Sequence, residues 1–138
     1  MTVEGDGYAI ANLDEIGEGY GFRKVRRELD VKEMGVNAIV FPPGYEAGWH
    51  YHEQQEEIYF VHRGSLELDF GDGKTHRLEE GGCARVDAAT ERRTRNPGDT
   101  DAVVLIVGAK GGYVGRDGRL PEREESRFGS NAPPGEGG

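Results

Sequence analysis

Cysteine is almost absent from this sequence: Cys83 is the only one among 138 residues, and there is a single tryptophan. One cysteine cannot form a disulfide within the chain, which excludes a small disulfide-stapled fold. No apolar run reaches the ~20 residues that span a bilayer, so we expect no transmembrane helix and no membrane partner. The first residues also lack the basic and apolar regions of a secretory signal. Together these absences predict a cytoplasmic protein in which Cys83 is buried and inert.

Positive charge is also scarce. The 17 lysines and arginines stand against 26 acidic residues, which gives the chain a net charge of −9. A chain this acidic repels phosphate backbones, so we expect no binding to DNA or RNA. Apolar residues make up 35% and charged residues 31% of the chain, a balance that can fill one modest core. We therefore expect a single domain whose partner is a small molecule.

The 23 glycines are concentrated near the two ends and divide the chain into three segments. Residues 1–35 are predicted to be a loosely ordered N-terminal extension that docks on the folded part or on a second copy of the chain. Within the extension, Asp30 is placed to cap a single helical turn. Residues 36–110 carry the regular apolar runs and form the predicted domain. Residues 111–138 are a Gly- and Pro-rich tail, and we expect it to be largely disordered from about residue 127 because it has few apolar side chains to bury.

Short apolar runs separated by turn residues predict an all-β fold after the N-terminal extension. Their spacing is near the ~8 to 12 residues that are typical of a β-sandwich or β-barrel. The run SLELDF alternates, so that Leu66, Leu68 and Phe70 face one side and Glu67 and Asp69 face the other. The run AVVLIVG is apolar at every position, which indicates a central strand that is covered on both faces. The six runs are GVNAIVF, EIYFV, SLELDF, THRLEE, CARVD and AVVLIVG.

The side chains that suggest a chemical function are concentrated between Gly44 and Gly64. His50 and His52 are two apart, so an extended strand places both imidazoles on one face. Glu57 is an odd number of positions further on and cannot share that face in an unbroken strand, but residues 53–56 are polar enough to form a turn. Glu57 would then open an antiparallel neighbouring strand and return beside the histidines. This convergence suits a metal site, although two histidines on a strand are also compatible with exposed or hydrogen-bonded side chains.

The spacing of these residues resembles the first sequence motif of the cupin superfamily. Gly44, five residues, His50, one residue, His52, four residues, Glu57, six residues and Gly64 agree with that motif in residue type and interval. The resemblance implies a double-stranded β-helix, or jelly-roll β-barrel, that is often dimeric and holds one divalent metal. It also implies that His50, His52 and Glu57 are metal ligands, with Fe, Mn, Ni or Zn as the candidate ion.

The second cupin motif, from Gly81 to Asn96, is degraded, because Arg92 stands where the family usually has a fourth ligand histidine. A guanidinium stays protonated and cannot bind a metal. At about 5 Å from a divalent ion it would cost about 7 kcal/mol at an effective dielectric constant of ~20. That is a large part of the ~10–16 kcal/mol that a good zinc site supplies. Either an anionic substrate group lies between the metal and Arg92, or no metal binds and Arg92 pairs with Glu57 inside the barrel.

The strand that follows Glu57 supplies a further candidate residue. If Glu57 faces inward, alternation places Tyr59, Val61 and Arg63 on the same side. Tyr59 then lines the cavity as a hydrogen-bond donor or stacking surface, or it is part of the core. We predict that Arg92 and Tyr59 bind the substrate.

Together the motifs predict a barrel that binds one divalent metal and a small, anionic substrate. The candidate reactions are those of a dioxygenase-like oxidoreductase, an isomerase or a lyase. The alternative is a ligand-binding or sensing barrel without metal or catalysis, in which Arg92 pairs with Glu57 or with a carboxylate of the ligand. In either case we expect a homodimer.

Overall fold

The computed structural model describes residues 2–115 and 117–121, and β-strands dominate them. The predicted all-β fold is therefore confirmed. A 3₁₀ turn at Leu13–Glu15 and a short helix α1 at Val25–Leu29 are the helical elements of the described residues. The strands are β1 Val3–Gly5, β2 Tyr8–Ile10, β3 Gly21–Arg23, β4 Gly35–Phe41, β5 Tyr51–His52, β6 Glu56–Arg63, β7 Leu66–Phe70, β8 Thr75–Leu78, β9 Cys83–Val86, β10 Arg92–Arg95, β11 Ala102–Ala109 and β12 Gly118–Arg119.

The strands form two main antiparallel sheets that share one core. The larger sheet has the order β3-β4-β11-β6-β9, and the smaller has the order β10-β7-β8. A short ladder of β5 and β12 lies beside them, and His50 forms an isolated bridge to Arg92 at the start of β10. Apolar side chains from both sheets meet in a jelly-roll core. Its buried members are Ile39, Phe41, Tyr59, Val61, Leu66, Leu68, Val86, Ala102, Val104 and Ile106.

Alternation along β6 places the candidate site inside the barrel. Glu57, Tyr59 and Val61 are buried, whereas the residues between them are exposed, as the period of two predicts. Arg63 does not follow the expectation, because it is exposed at the end of the strand. The pairing of β6 with β11 shifts register next to Arg63, between Val103 and Val104, and this irregularity ends the alternation there.

Asp69 on β7 faces away from Leu68, as expected, yet it is only 5% exposed. Neighbouring arginines from β10 cover it. The Nε atoms of Arg93 and Arg95 donate to Asp69 Oδ2 at 2.8 and 2.6 Å, and the Thr75 hydroxyl donates to Oδ1 at 2.6 Å. Hydrogen bonds, led by that from Arg95, hold the pKa of Asp69 well below its usual value despite its desolvation.

Part of the N-terminal extension is built into the larger sheet. Strand β3 pairs with β4, and Ile16 is buried. The predicted cap at Asp30 is wrong, because α1 ends there instead of beginning. Asp30 adopts the left-handed conformation, with φ 54°, which terminates the helix.

Gly64, the last residue of the first motif, connects β6 to β7 with φ +78°. A Cβ atom at this position would lie 2.7 Å from the carbonyl oxygen of Asp101 and 3.0 Å from Cα of Ala102. The motif glycine is therefore required both by the left-handed turn and by the close approach of the next backbone.

Two further expectations concern the burial of Cys83 and the disorder of the C-terminal tail. Cys83 was expected to be buried, but it is exposed. It lies on the edge strand β9, opposite the exposed Phe60, so its side chain points away from the core. The disorder that we expect from about residue 127 lies outside the described residues.

Candidate metal centre

The structure brings the three predicted ligands together. His50 lies at the bridge to β10, His52 on β5 and Glu57 on β6, and residues 53–55 form the bend that the odd spacing requires. One ligand atom from each side chain lies within 4.8 Å of the other two. All three side chains are at least nine-tenths buried. The first motif therefore converges on one point inside the barrel.

The donor set fits a divalent metal. Two imidazole nitrogens and one carboxylate oxygen suit Fe(II), and they also suit zinc. His50 Nε2 and Glu57 Oε2 are buried without a hydrogen-bond partner. Buried polar atoms are seldom left unpaired, so a cation bound at this point would satisfy atoms that the protein alone does not.

His52 is oriented by a residue that the sequence analysis missed. Asp117 Oδ1 lies 2.8 Å from His52 Nδ1, which leaves Nε2 directed toward Glu57 Oε1 at 3.2 Å. Asp117 Oδ2 also accepts hydrogen bonds from the backbone N–H groups of Gln54 and Gln55, at 2.8 and 2.9 Å. A carboxylate behind a histidine is the arrangement that fixes the tautomer and ring orientation in many metal sites.

Asp117 carries no recognisable motif in the sequence. It lies 65 residues after His52, inside the segment expected to be a loose tail, and the pairing of β12 with β5 brings it to the site. Gln55 completes the arrangement, since its buried Nε2 donates to Asp117 Oδ1. No sequence signal marks either residue, because their roles depend on contacts between distant parts of the chain.

Arg92 is wholly buried, and Glu57 and backbone groups hold it in place. Its Nη2 donates to Glu57 Oε1 at 2.8 Å, and its Nε donates to the Tyr59 hydroxyl at 3.3 Å. Nη1 donates to three carbonyl oxygens of the preceding loop at 3.2, 3.1 and 2.6 Å. Of the two arrangements that the sequence left open, the structure contains the Arg92–Glu57 ion pair.

The buried charges set the protonation of the site. Burial, followed by the charge of Arg92, lowers the pKa of His50 to about 3, so this imidazole is neutral and able to bind a cation. Burial alone would raise the pKa of Glu57, but the His52 hydrogen bond and the charges of His52 and Arg92 lower it to about 2. Burial raises the pKa of Tyr59, so its hydroxyl remains a donor, and this proton goes to Glu57 Oε1 at 2.8 Å.

A pocket of about 330 Å³ opens beside this centre, and His50 and Tyr59 form part of its wall. Neither Arg92 nor Glu57 lines it. Much of the remaining wall is aromatic or aliphatic, and one side comes from residues 20–22 of the N-terminal segment. The structure thus places the pocket against one candidate ligand and against Tyr59, whereas the other candidate residues lie behind them.

The chain belongs to the cupin family. A family model described as "Cupin domain" matches residues 38–108, about half of the chain. This confirms the resemblance drawn from the motif. The match includes all three candidate ligands and Arg92, but it ends before the segment that carries Asp117.

Named relatives extend this similarity. An L-ectoine synthase from Alkalilimnicola ehrlichii is 32% identical over 91 residues, which cover 65% of this chain and 67% of the relative. A sugar phosphate isomerase of the cupin superfamily from Silicibacter pomeroyi is 28% identical with a TM-score of 0.59, over 64% of this chain and 58% of that one. The chain therefore spans less than two thirds of that isomerase.

A third similarity concerns the fold alone. An uncharacterized conserved protein with a double-stranded β-helix domain, from Klebsiella pneumoniae, has a TM-score of 0.66 and is 20% identical, over 82% of this chain and 96% of that one. This supports the predicted double-stranded β-helix over most of the chain. Among the described residues, no helix is long and apolar enough to cross a membrane.

Proposed function

We propose that this chain is a metal-dependent cupin enzyme that binds one divalent cation through His50, His52 and Glu57 and acts on a small substrate in the adjacent pocket. The observation that carries the proposal is the convergence of the three ligand atoms within 4.8 Å, with His50 shared between the cluster and the pocket wall. When bound, the cation would supply Lewis-acid activation at coordination positions that the protein leaves open.

The surrounding residues orient the ligands. Asp117 holds the His52 ring, while Arg92 and the Tyr59 hydroxyl both donate to Glu57 Oε1 and leave Oε2 for the cation. Tyr59 also borders the pocket, where its side chain can contact the substrate while the hydroxyl proton stays with Glu57 Oε1. In this proposal Tyr59 contributes to substrate binding by contact.

Arg92 contributes to substrate preference through its charge. It is fully buried and does not line the pocket, so it reaches the substrate electrostatically. A divalent cation and Arg92 together carry three positive charges, and the nearby carboxylates of Glu57 and Asp117 carry two negative charges. The centre thus keeps a positive balance, which favours an anionic group on the substrate.

The reaction class of the proposal follows the predicted range of isomerase, lyase or dioxygenase-like chemistry. A synthase and an isomerase are the activities named for two of the relatives above 25% identity. The proposal for this chain is metal-assisted chemistry on a small anionic substrate.

The test is the metal content of protein purified without chelators and then dialysed against Fe(II), Mn(II), Ni(II) or Zn(II). We expect stoichiometric binding of at least one of these ions, and loss of that binding in His50→Ala and in His52→Ala. His62→Ala is the matched control, because His62 is exposed on the opposite face of β6. Only trace metal in the wild type, unchanged by the His50 and His52 substitutions, would contradict the proposal.

A second candidate function, a metal-free barrel that binds a small ligand, is favoured by one observation. The Arg92–Glu57 ion pair, at 2.8 Å, already neutralises the carboxylate that the cation needs. Under this alternative, ligand binding is unaffected by chelators, whereas the metal-enzyme proposal requires that chelation remove activity.

The homodimer and the cytoplasmic location remain predictions. Ile58 and Phe60 on the outer face of β6 are 49% and 36% exposed, and such apolar side chains are available to a second copy of the chain. Light scattering coupled to size-exclusion chromatography measures the mass in solution, and a monomer at micromolar concentration would contradict the dimer.

A further inference from the structure

The pocket beside the metal centre has an unusually aromatic wall. The side chains of Tyr20 and Phe22 come from the N-terminal segment, and those of Phe41 and Tyr45 come from the end of β4 and the loop after it. The rings of Phe41 and Tyr45 stack with their centroids 5.6 Å apart. Flat apolar surfaces of this kind bind an aromatic ring or another compact apolar group.

Charged side chains are missing from this wall. Among the described residues that line the pocket there is no aspartate, glutamate, lysine or arginine, and the polar side chains are limited to His50, Thr94 and tyrosine hydroxyls. Arg92 is directed into the Glu57 and carbonyl contacts behind the wall. A ligand whose body carries many hydroxyl groups would lose its water here without gaining matching partners. The wall therefore disfavours sugar phosphates, the class named for one of the relatives.

The size of the pocket limits the ligand further. About 330 Å³ equals roughly eleven times the ~30 Å³ that a water molecule occupies in the liquid. A ligand of roughly ten non-hydrogen atoms fits this space, which corresponds to one aromatic ring with a short side chain.

The two ends of the pocket differ in chemistry. His50, with its unpartnered Nε2, and the Tyr59 hydroxyl lie at the end next to the ion pair, whereas Tyr20 and Tyr45 are 60% and 42% exposed and lie toward solvent. We propose that the pocket takes a small monocarboxylic acid with an aromatic or compact apolar body, its carboxylate toward the cation that His50 would help to bind and its body against Phe22, Phe41 and Tyr45. The placement of the ligand's carboxylate rests on the proposed metal function. The placement of its apolar body does not.

The experiment compares ligands that share or lack each part. Isothermal titration calorimetry of the metal-loaded protein uses phenylacetate, acetate and ribose 5-phosphate, and benzyl alcohol is titrated into both loaded and chelator-treated protein. We expect phenylacetate to bind at least about tenfold more tightly than acetate, because a buried ring contributes 1.4 kcal/mol or more. We expect no measurable binding of ribose 5-phosphate, and the same weak binding of benzyl alcohol with and without metal.

Variants locate the binding. Phe22→Ala should weaken phenylacetate binding by about tenfold and leave acetate unchanged, since only the ring loses its contact. Phe60→Ala, on the outer face of the sheet, is the control and should change neither. Because Phe22 also packs against the core, Tyr45→Ala is a second variant at an exposed position, and circular dichroism checks that each variant is folded.

The outcomes separate this inference from the metal proposal. Loaded protein that binds ribose 5-phosphate or acetate as tightly as phenylacetate would overturn the inference while the metal proposal stands. If the protein holds no metal and does not bind phenylacetate, both the proposed function and the placement of the ligand's carboxylate are contradicted. If Phe22→Ala and Tyr45→Ala leave the binding of benzyl alcohol unchanged, the placement of the apolar body against these residues is contradicted, whether or not the protein binds metal.

Discussion

Replacing Asp117 tests whether the C-terminal segment positions the candidate metal centre. The Asp117 carboxylate accepts hydrogen bonds from the backbone N–H groups of Gln54 and Gln55 and lies 2.8 Å from His52 Nδ1. Gln54 is exposed, so its N–H can turn to water in Asp117→Ala, whereas Gln55 and His52 stay buried without that acceptor. Gln55 Nε2 also loses its contact with Asp117 but keeps the Val114 carbonyl as a partner at 3.4 Å. The other two buried hydrogen bonds to the carboxylate, at about 1.5–3 kcal/mol each, predict a loss of about 3–6 kcal/mol in the free energy of unfolding.

The same substitution should weaken metal binding. Removing the partner of a metal-ligating histidine costs about 10–100-fold in affinity, because the ring loses its orientation and fixed tautomer. Asp117→Asn retains one acceptor oxygen, so we expect a smaller loss of about 1–2 kcal/mol in stability and an intermediate affinity. Asp99→Ala changes an exposed aspartate and is the control for the loss of one negative charge.

Two measurements decide this prediction. Urea unfolding of chelator-treated protein, followed by circular dichroism, gives the stability, and equilibrium dialysis with elemental analysis gives the metal affinity. A large stability loss with wild-type metal affinity would show that Asp117 stabilises the fold without helping His52 to bind the metal. Wild-type values for both would show that the contact with His52 contributes nothing measurable, and the reasoning would be refuted.

Three further predictions concern a buried ion pair, a carboxylate and a turn. Arg92→Leu removes the arginine partner of the buried Glu57 and leaves the Tyr59 hydroxyl and His52 beside it, which should cost about 3–5 kcal/mol. Excess zinc should raise the urea midpoint more in this variant than in the wild type, and an equal rise would contradict the role of Glu57 as a ligand. Asp69→Asn should cost about 2 kcal/mol at pH 7 in urea unfolding. The folded-state pKa of Asp69 is lowered, so its carboxylate stabilises the fold fully above its unfolded pKa of ~3.9 and loses this effect as the pH falls toward the folded value. The difference in the free energy of unfolding between wild type and Asp69→Asn should therefore narrow below about pH 4. A difference that stays constant with pH would count against the mechanism. Gly64→Ala should lower the melting temperature more than Gly73→Ala, because both have positive φ but only Gly64 has a backbone carbonyl in the way, and equal losses would show that the clash relaxes.

Spacing within one stretch of chain was sufficient to predict that the three candidate ligands lie together. His50, His52 and Glu57 lie within eight residues, so local strand geometry and one turn bring them together without reference to the rest of the fold. Alternation predicted that Tyr59 shares the inner face with Glu57, and both are buried. Alternation failed at Arg63, because the register shift there depends on how β6 pairs with β11 and cannot be predicted from the sequence of β6 alone.

The environment of the cluster depended on contacts that no local pattern encodes. The sequence left two arrangements open for Arg92, and only the folded chain shows its guanidinium donating to Glu57 and to the carbonyls of its own loop. Cys83 was misplaced for a similar reason, since its exposure depends on β9 being an edge strand and on the outward direction of Phe60 opposite it.

The sequence by itself determined the fold class and the convergence of the three candidate ligands. Both depend on short-range periodicity and on the spacing between residues, which the geometry of a strand converts directly into position. Tertiary structure alone decided that Asp117 supports His52 and that Phe22 and Tyr45 form one side of the pocket. Phe22 lies before the 38–108 match to the family model and Asp117 lies after it, whereas His52 and Tyr45 lie within it. Their roles arise from packing over long sequence separations, where the free energy depends on which surfaces meet in the folded chain.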